Sequence, residues 1–358
     1  MILFKKKNYF YLYIFFLILL FIFNKFSTSS AYGKNLTVSN VKINETYDLN
    51  FNKSLVIDQA FTKAFNILIY KIVEKKDRHK IKKATIDQIK SLVDNFSIVD
   101  EKFVNNEYQS EFEVQFNRKK IINYVENNNV VSSLPKILKT FILPILIDTE
   151  SNELYYLNNN IISNNWNKES KRYFLIEYIF PDEDIEDYII IKKNISNIEN
   201  YNFKEIIGKY NLDNHIILIV LKTNDKLRIF SKMKFEKQNM LINKTYDKVN
   251  LKDSKIINNL IFEIKEEYED KWKSINKLNA SISLPITLAL ESKNTKLIKK
   301  FENTLMNMDL VSDFKIEKFN NKEIVYKIMF ASSPNKFLDE MLLFDFYINT
   351  TNEVWNLK

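Results

Sequence analysis

Side chains able to do covalent or acid–base chemistry are scarce in this sequence. Its 358 residues hold two histidines, two glycines and no cysteine. The lack of cysteine removes thiolate nucleophiles, disulfide exchange, iron–sulfur clusters and cysteine zinc sites in one step. Gly33 and Gly208 are too few for a phosphate-cradling loop or a dinucleotide fingerprint, which need several glycines for close backbone approach. The Gly-x-Ser-x-Gly elbow of serine hydrolases is missing for the same reason. His79 lies in the polar stretch Lys-Asp-Arg-His-Lys, and His215 opens the run His-Ile-Ile-Leu-Ile-Val-Leu. Neither has the His-Glu-x-x-His spacing of a zinc site, and both read as surface or structural histidines. No catalytic residue, metal ligand or cofactor is assigned, and the chain is read as not an enzyme.

Carboxylates are the remaining chemical resource. Asp182, Glu183, Asp184, Glu186 and Asp187 follow Pro181. A calcium or magnesium site is one reading. The spacing is not that of an EF-hand, and the glycine such a turn needs is absent. The preferred reading is a helix start, where acids complement the positive helix end and proline suits the first turn. Lys232–Lys237 alternates charges with Met233 and Phe235, which predicts a half-buried strand rather than a nucleic-acid strip. Lys265, Glu266, Glu267, Glu269, Asp270, Lys271 and Lys273 read as an ordinary charged helix surface. Trp166 and Trp272 are candidate partner contacts, because tryptophan is enriched at binding hot spots.

The elements that would position these residues fall into three modules. Residues 36–130 carry a β-α-α-β-β-α order: a leading strand, an amphipathic helix with Ser54 as its cap, a second helix, an Asn105-Asn106 hairpin and a closing helix. Residues 135–273 alternate apolar strands with helical segments, an α/β pattern with a covered sheet, and end in a long helix from Asp253. Residues 277–358 follow the β-α-β-β-α-β order of a ferredoxin-like split βαβ unit. The fold class is therefore α+β, in serial small modules.

Ahead of these modules, Lys5, Lys6 and Lys7 precede the uncharged apolar run Tyr9–Phe23. Its length is that of a signal-peptide core and short for a spanning helix. Ser29 and Ala31 occupy the small-residue positions of a cleavage site, predicting a signal peptide over 1–31 cut between Ala31 and Tyr32. An uncleaved inner-membrane anchor is the alternative. The formal charge is +8, and Lys5, Lys6, Lys7 and Lys25 supply four of those charges. The rest is too mild for nucleic-acid binding, which needs a concentrated basic face.

Four stretches carry a family resemblance. They are Val38–Val73, Phe112–Arg118 followed by Ile121, Ile122 and Tyr124, Leu134–Asp148, and the closing Glu353-Val-Trp-Asn-Leu357. Together they resemble the proteobacterial envelope proteins of domain-of-unknown-function family 2066. More distantly, the first module is similar to flagellar assembly protein T and the second to TolB- and CsgG-type modules. Asn117 stands where that family usually has Asp, and Val73-Glu74 where it often has Gly. The resemblance implies export to the periplasm and assembly with an envelope protein, with no assigned site residues. The alternatives are a structural protein anchored in the inner membrane and a hydrolase of envelope glycans using carboxylates alone.

Overall fold

The computed structural model describes residues 35–81, 83–168, 173–278, 284–308 and 310–357. The apolar N-terminal run and the Ala31–Tyr32 junction lie outside them. Among the described residues, no helix is long and apolar enough to cross a membrane. The protein is α+β and divides into two compact units at Ile282–Ser283. The first two modules expected from the sequence share one of these units.

The first module is a three-stranded antiparallel sheet under a helix. Strand β1 (Asn35–Thr46) leads into α1 (Lys53–Ile72). The cap of α1 is Asn52, whose side chain accepts from Ser54 N at 2.9 Å, so capping begins two residues ahead of Ser54. Ala60 and Ala64 let α1 lie close to the sheet, while Phe61, Phe65 and Leu68 fill the core between them. Helix α2 (Ile86–Leu92) opens with a capping box of Thr85 and Gln88. Strands β2 (Val93–Val104) and β3 (Glu107–Asn117) form a hairpin over Asn105 and Asn106. Both asparagines have positive φ, 53° and 60°, as a two-residue turn of this twist requires. The sheet order is β1-β3-β2, so β3 is central and buries Tyr108, Phe112, Val114 and Phe116 on one face. Asn117 caps α3 (Arg118–Glu126) by accepting from Lys120 N at 3.1 Å, a task Asn performs as well as Asp.

The second module is built on β4 (Leu138–Asp148) and β7 (His215–Lys222), which pair in parallel. Both read as unbroken apolar runs because both sheet faces are covered. One face of β4 packs Leu138, Ile142 and Leu146 against α7 (Ser254–Ile275). The other packs Phe141, Leu143, Ile145 and Ile147 against α5 (Ile185–Lys193) and α6 (Lys204–Gly208). Strand β5 (Glu153–Tyr156) pairs with the end of β4 and β6 (Ile176–Ile179) with its start, both on the side away from β7. Pro144 falls in the interval between those two pairings. Its carbonyl accepts from the buried Asn160 at 3.2 Å on that side, so its missing N–H interrupts no ladder. Helix α4 (Ile161–Asn165) follows Asn160, which caps it. Strands β8 (Lys226–Phe235) and β9 (Gln238–Asp247) extend the sheet beyond β7. Met233 and Phe235 face inward from β8, so the alternating stretch is a half-buried strand.

The second unit runs β10 (Leu284–Glu291), α8 (Thr295–Asn307), β11 (Val311–Phe319), β12 (Glu323–Phe330), α9 (Pro334–Leu342), β13 (Ile348–Asn349) and β14 (Trp355–Leu357). In the sheet order β11-β12-β10-β14-β13, β12 lies between β10 and β11 and antiparallel to both, which is the split βαβ arrangement; β14 adds beside β10 in parallel, where the ferredoxin-like order has one antiparallel strand. Phe301 and Leu305 of α8 and Phe337 and Met341 of α9 are buried with Tyr326, Ile328 and Phe330 of β12.

Candidate functional site

Two regions of the first unit depart from ordinary burial, in opposite senses. The first is the charged face of α7. Lys265, Glu266, Glu269 and Lys273 recur at helical spacing and are all buried. This overturns the expectation of an exposed charged surface. The apolar stripe of α7 covers the sheet, and its charged stripe meets the end of α1 and the turn that follows.

Each charge on this seam satisfies backbone or side-chain groups elsewhere. Glu266 accepts from Tyr70 Oη at 2.6 Å and Arg78 Nη1 at 2.6 Å, and pairs with Lys75 Nζ at 2.8 Å. The Arg78 guanidinium lies 3.7 Å above the Tyr70 ring. Lys273 Nζ donates to the carbonyls of Tyr70 at 2.7 Å and Val73 at 3.3 Å, closing the C-terminus of α1 with a positive charge. Val73 is extended at φ −116°, so this helix end needs no glycine. Asp270 accepts from Lys75 N at 3.0 Å. Glu269 Oε1 accepts from Leu175 N and Ile176 N, each at 2.8 Å, at the start of β6. Lys265 donates to the Trp166 carbonyl. The link between the modules is also fastened: Ser133 N donates to Ile72 O at 2.7 Å and Leu134 N to Asn276 O at 3.0 Å.

These surroundings shift the charged groups. Burial tends to raise the Glu266 carboxyl, but the bonds from Lys75, Tyr70 and Arg78 outweigh it and hold it down to about 2. Burial pushes Glu269 up to about 7 against its two backbone donors and Lys273. Burial lowers Lys265 and Lys273 to about 8. A seam of this kind fixes one docking of the two modules, since slippage would strand charges without partners.

The second region is the edge of the first sheet. Strand β2 pairs only with β3, and its burial is slight along nearly its whole length. Register shifts beside Val93 and Ile98 mark β-bulges. At the second, Val99 has no partner in the β3 register and stands 63% exposed. Phe103 is 57% exposed and meets Tyr47 edge-on at 4.9 Å; Tyr47 in turn touches Phe51 at 4.9 Å. Phe96 and Val104 are also exposed, as are Leu49 before α1 and Leu55 in its first turn. A concave groove of about 640 Å³ runs along the outer face of α1, lined by Leu55, Asp58, Gln59, Lys63 and Tyr173 among others. Its one carboxylate, Asp58, pairs with Lys90 at 2.8 Å.

The tryptophans singled out from the sequence lie on α7 or packed against it, and not at an exposed surface. Trp166 and Trp272 are 0% and 2% exposed. Trp166 packs edge-on to Tyr178 at 5.2 Å, and Trp272 Nε1 donates to Lys136 O at 2.7 Å. Their size makes them core pieces, and neither offers an indole to a partner. The acidic run starts α5: Asp184 accepts from Glu186 N at 2.8 Å. Lys209 Nζ lies 2.6 Å from Asp184 and 2.7 Å from Asp187, filling the place a cation would take. Among the described residues, no group of three His, Cys, Asp or Glu side chains is placed to hold a metal ion. His79 sits in the turn after α1, and His215 begins β7, where burial lowers its pKa. In the sequence Phe96 and Ile98 alternate but Phe103 is one residue out of phase, an offset the bulge at Val99 takes up, and nothing there told an edge strand from a central one. No protein-family model matches the chain, and no curated protein matches it either.

Proposed function

We propose that this is an exported, non-catalytic protein that assembles with another protein of the cell envelope through the open edge of its first module. The observation that carries this reading is the exposed apolar edge of β2: Phe96 and Phe103 on one face, Val104 on the other and Val99 at the bulge, with Tyr47 beside Phe103. Apolar patches rimmed by polar groups serve as interaction sites, and aromatic side chains anchor them. The two bulges and the charges of Asp100 and Lys102 blunt the strand against open-ended sheet stacking. A partner would therefore seat on the side chains. The module behind the strip is held in place by the α7 seam, which supports a rigid scaffold. The periplasm is the proposed location, resting on the expected signal peptide; an inner-membrane anchor is the second reading, favoured by Ile2–Phe4, which lengthen the apolar stretch, and by Lys25, whose side chain can snorkel.

The test is photo-crosslinking in cells from Val99 and Phe103, with Lys318 in the second unit as an exposed control. A single envelope protein captured from both positions, lost on Phe103→Ser and absent from the control, is the expected result. Equal capture from all three positions would refute the reading. Mass spectrometry of the purified N-terminus separates the locations: a first peptide at Tyr32 supports the periplasm, and an intact apolar run supports the anchor.

A further inference from the structure

Lys265 presents an electrostatic misfit that the docking seam does not resolve. Its ammonium is buried, and among the described residues the one bond it makes is to the neutral carbonyl of Trp166. The acid one turn on along α7 is Glu269, whose Oε1 is bound to Leu175 N and Ile176 N and whose Oε2 has no hydrogen-bond partner among the described residues. Instead the ammonium lies among three rings, 5.2 Å from the centre of Trp166, 5.6 Å from Phe174 and 5.7 Å from Tyr178. Ring faces offset part of the cost of burying a cation but satisfy none of its remaining N–H groups.

The same side chain lines a cavity of about 10 Å³, enclosed by Asn165, Trp166, Asn258, Ile261 and Phe262 with Phe174. Such a volume takes one species of about the size of a water molecule. Trp166 Nε1, buried, has no hydrogen-bond partner among the described residues, and neither has Asn258 Oδ1. A lysine with N–H groups to spare and a tryptophan with an unpaired indole N–H thus line one small space, and both ask for an acceptor. Asn258 reverses its amide at no cost in shape, which turns a third N–H toward the same space. The donors and the uncompensated positive charge select a negative acceptor over a neutral one.

We propose that this cavity binds a single small halide ion, chloride under physiological salt, between Lys265 Nζ and Trp166 Nε1. The ion neutralises the buried ammonium and ties α7 to the end of α4. Burial alone lowers Lys265 to about 8, and a bound anion opposes that shift. This assignment is independent of the partner-binding role of β2.

Two measurements on the full chain test it. In crystals grown with sodium bromide, an anomalous peak is expected in the cavity, in contact with Lys265 Nζ and Trp166 Nε1. A peak there without anomalous signal is a water and overturns the proposal. In solution, replacing gluconate by chloride at constant ionic strength should raise Tm by roughly 2–4 °C. That rise should vanish in Lys265→Met and shrink in Trp166→Phe, which keeps the ring and removes one donor. Should Lys265→Met fail to fold, Trp166→Phe still decides: an undiminished rise would place the ion elsewhere and sink the assignment.

Discussion

The seam along α7 and the edge at β2 invert the usual arrangement of a protein interior and its surface. The seam hides Lys265, Glu266, Glu269 and Lys273, while the edge shows Val99 and Phe103 to solvent. In the seam nearly every buried charge meets a group of fixed position, a helix-end carbonyl or a strand-start N–H. Such charges add little net stability, because desolvation opposes their attraction, but they penalise any other docking. At the edge, Phe96 and Phe103 touch Phe61, Tyr47 and Tyr108 on one side and keep much of their surface open, and Val99 stands largely exposed. The difference separates a contact completed within the chain from a surface that we propose is left for another molecule.

The largest expected effect comes from breaking the seam. Glu266→Ala removes the acceptor shared by Tyr70, Arg78 and Lys75, and should cost roughly 3 kcal/mol in urea unfolding. That is the low end for a buried pair, since Lys75 and Arg78 can still reach water. A loss under about 0.5 kcal/mol would show that the network is idle.

Next in size is the pH response of Glu269. Its carboxyl is raised in the folded state to about 7, so ionising it costs the folded protein. That penalty is absent below the ordinary carboxylate range, grows as pH rises and is complete above about 7. Glu269→Gln keeps the acceptor for Leu175 and Ile176 but cannot ionise. Its advantage over the wild type should therefore widen between pH 5 and 8, read from urea midpoints; parallel curves would contradict the assignment.

Asn117→Ala should cost about 1 kcal/mol by uncapping α3, whereas Asn117→Asp should be nearly neutral. The smallest stability change is expected at the edge. Phe103→Ser should alter stability by less than about 1 kcal/mol, because the side chain is largely exposed, yet abolish capture of a partner. A large loss of stability there would make Phe103 a core residue and erase the contrast between the two regions.

Much of the fold was legible because its periodicities are strong. The strand and helix order of the first module, the Asn105-Asn106 turn and the split βαβ order of the second unit all follow from alternation and helical spacing. The start of α5 was readable from its acids. Strands β5 and β9 were not, since one is short and the other mostly polar and exposed. The seam was illegible for a different reason. Glu and Lys at i and i+4 stabilise exposed helices in the same pattern. Nothing local to residues 265–273 says that Tyr70, Val73 and Arg78 will cover them. The tryptophans misled because hot-spot enrichment applies only to residues already at a surface.

One feature of the seam bears on how the chain reaches its shape. Lys273 closes a helix end that lies 203 residues earlier, at Tyr70. A ribosome delivers α1 long before it delivers α7. Until then the carbonyls of Tyr70 and Val73, and the side chains of Tyr70 and Arg78, wait without their charged partners. Long-range closures of this kind slow folding and lengthen the life of incomplete intermediates. The first module should therefore mature late, on the arrival of residues 254–275, and a chain stopped before them should be an avid client of chaperones.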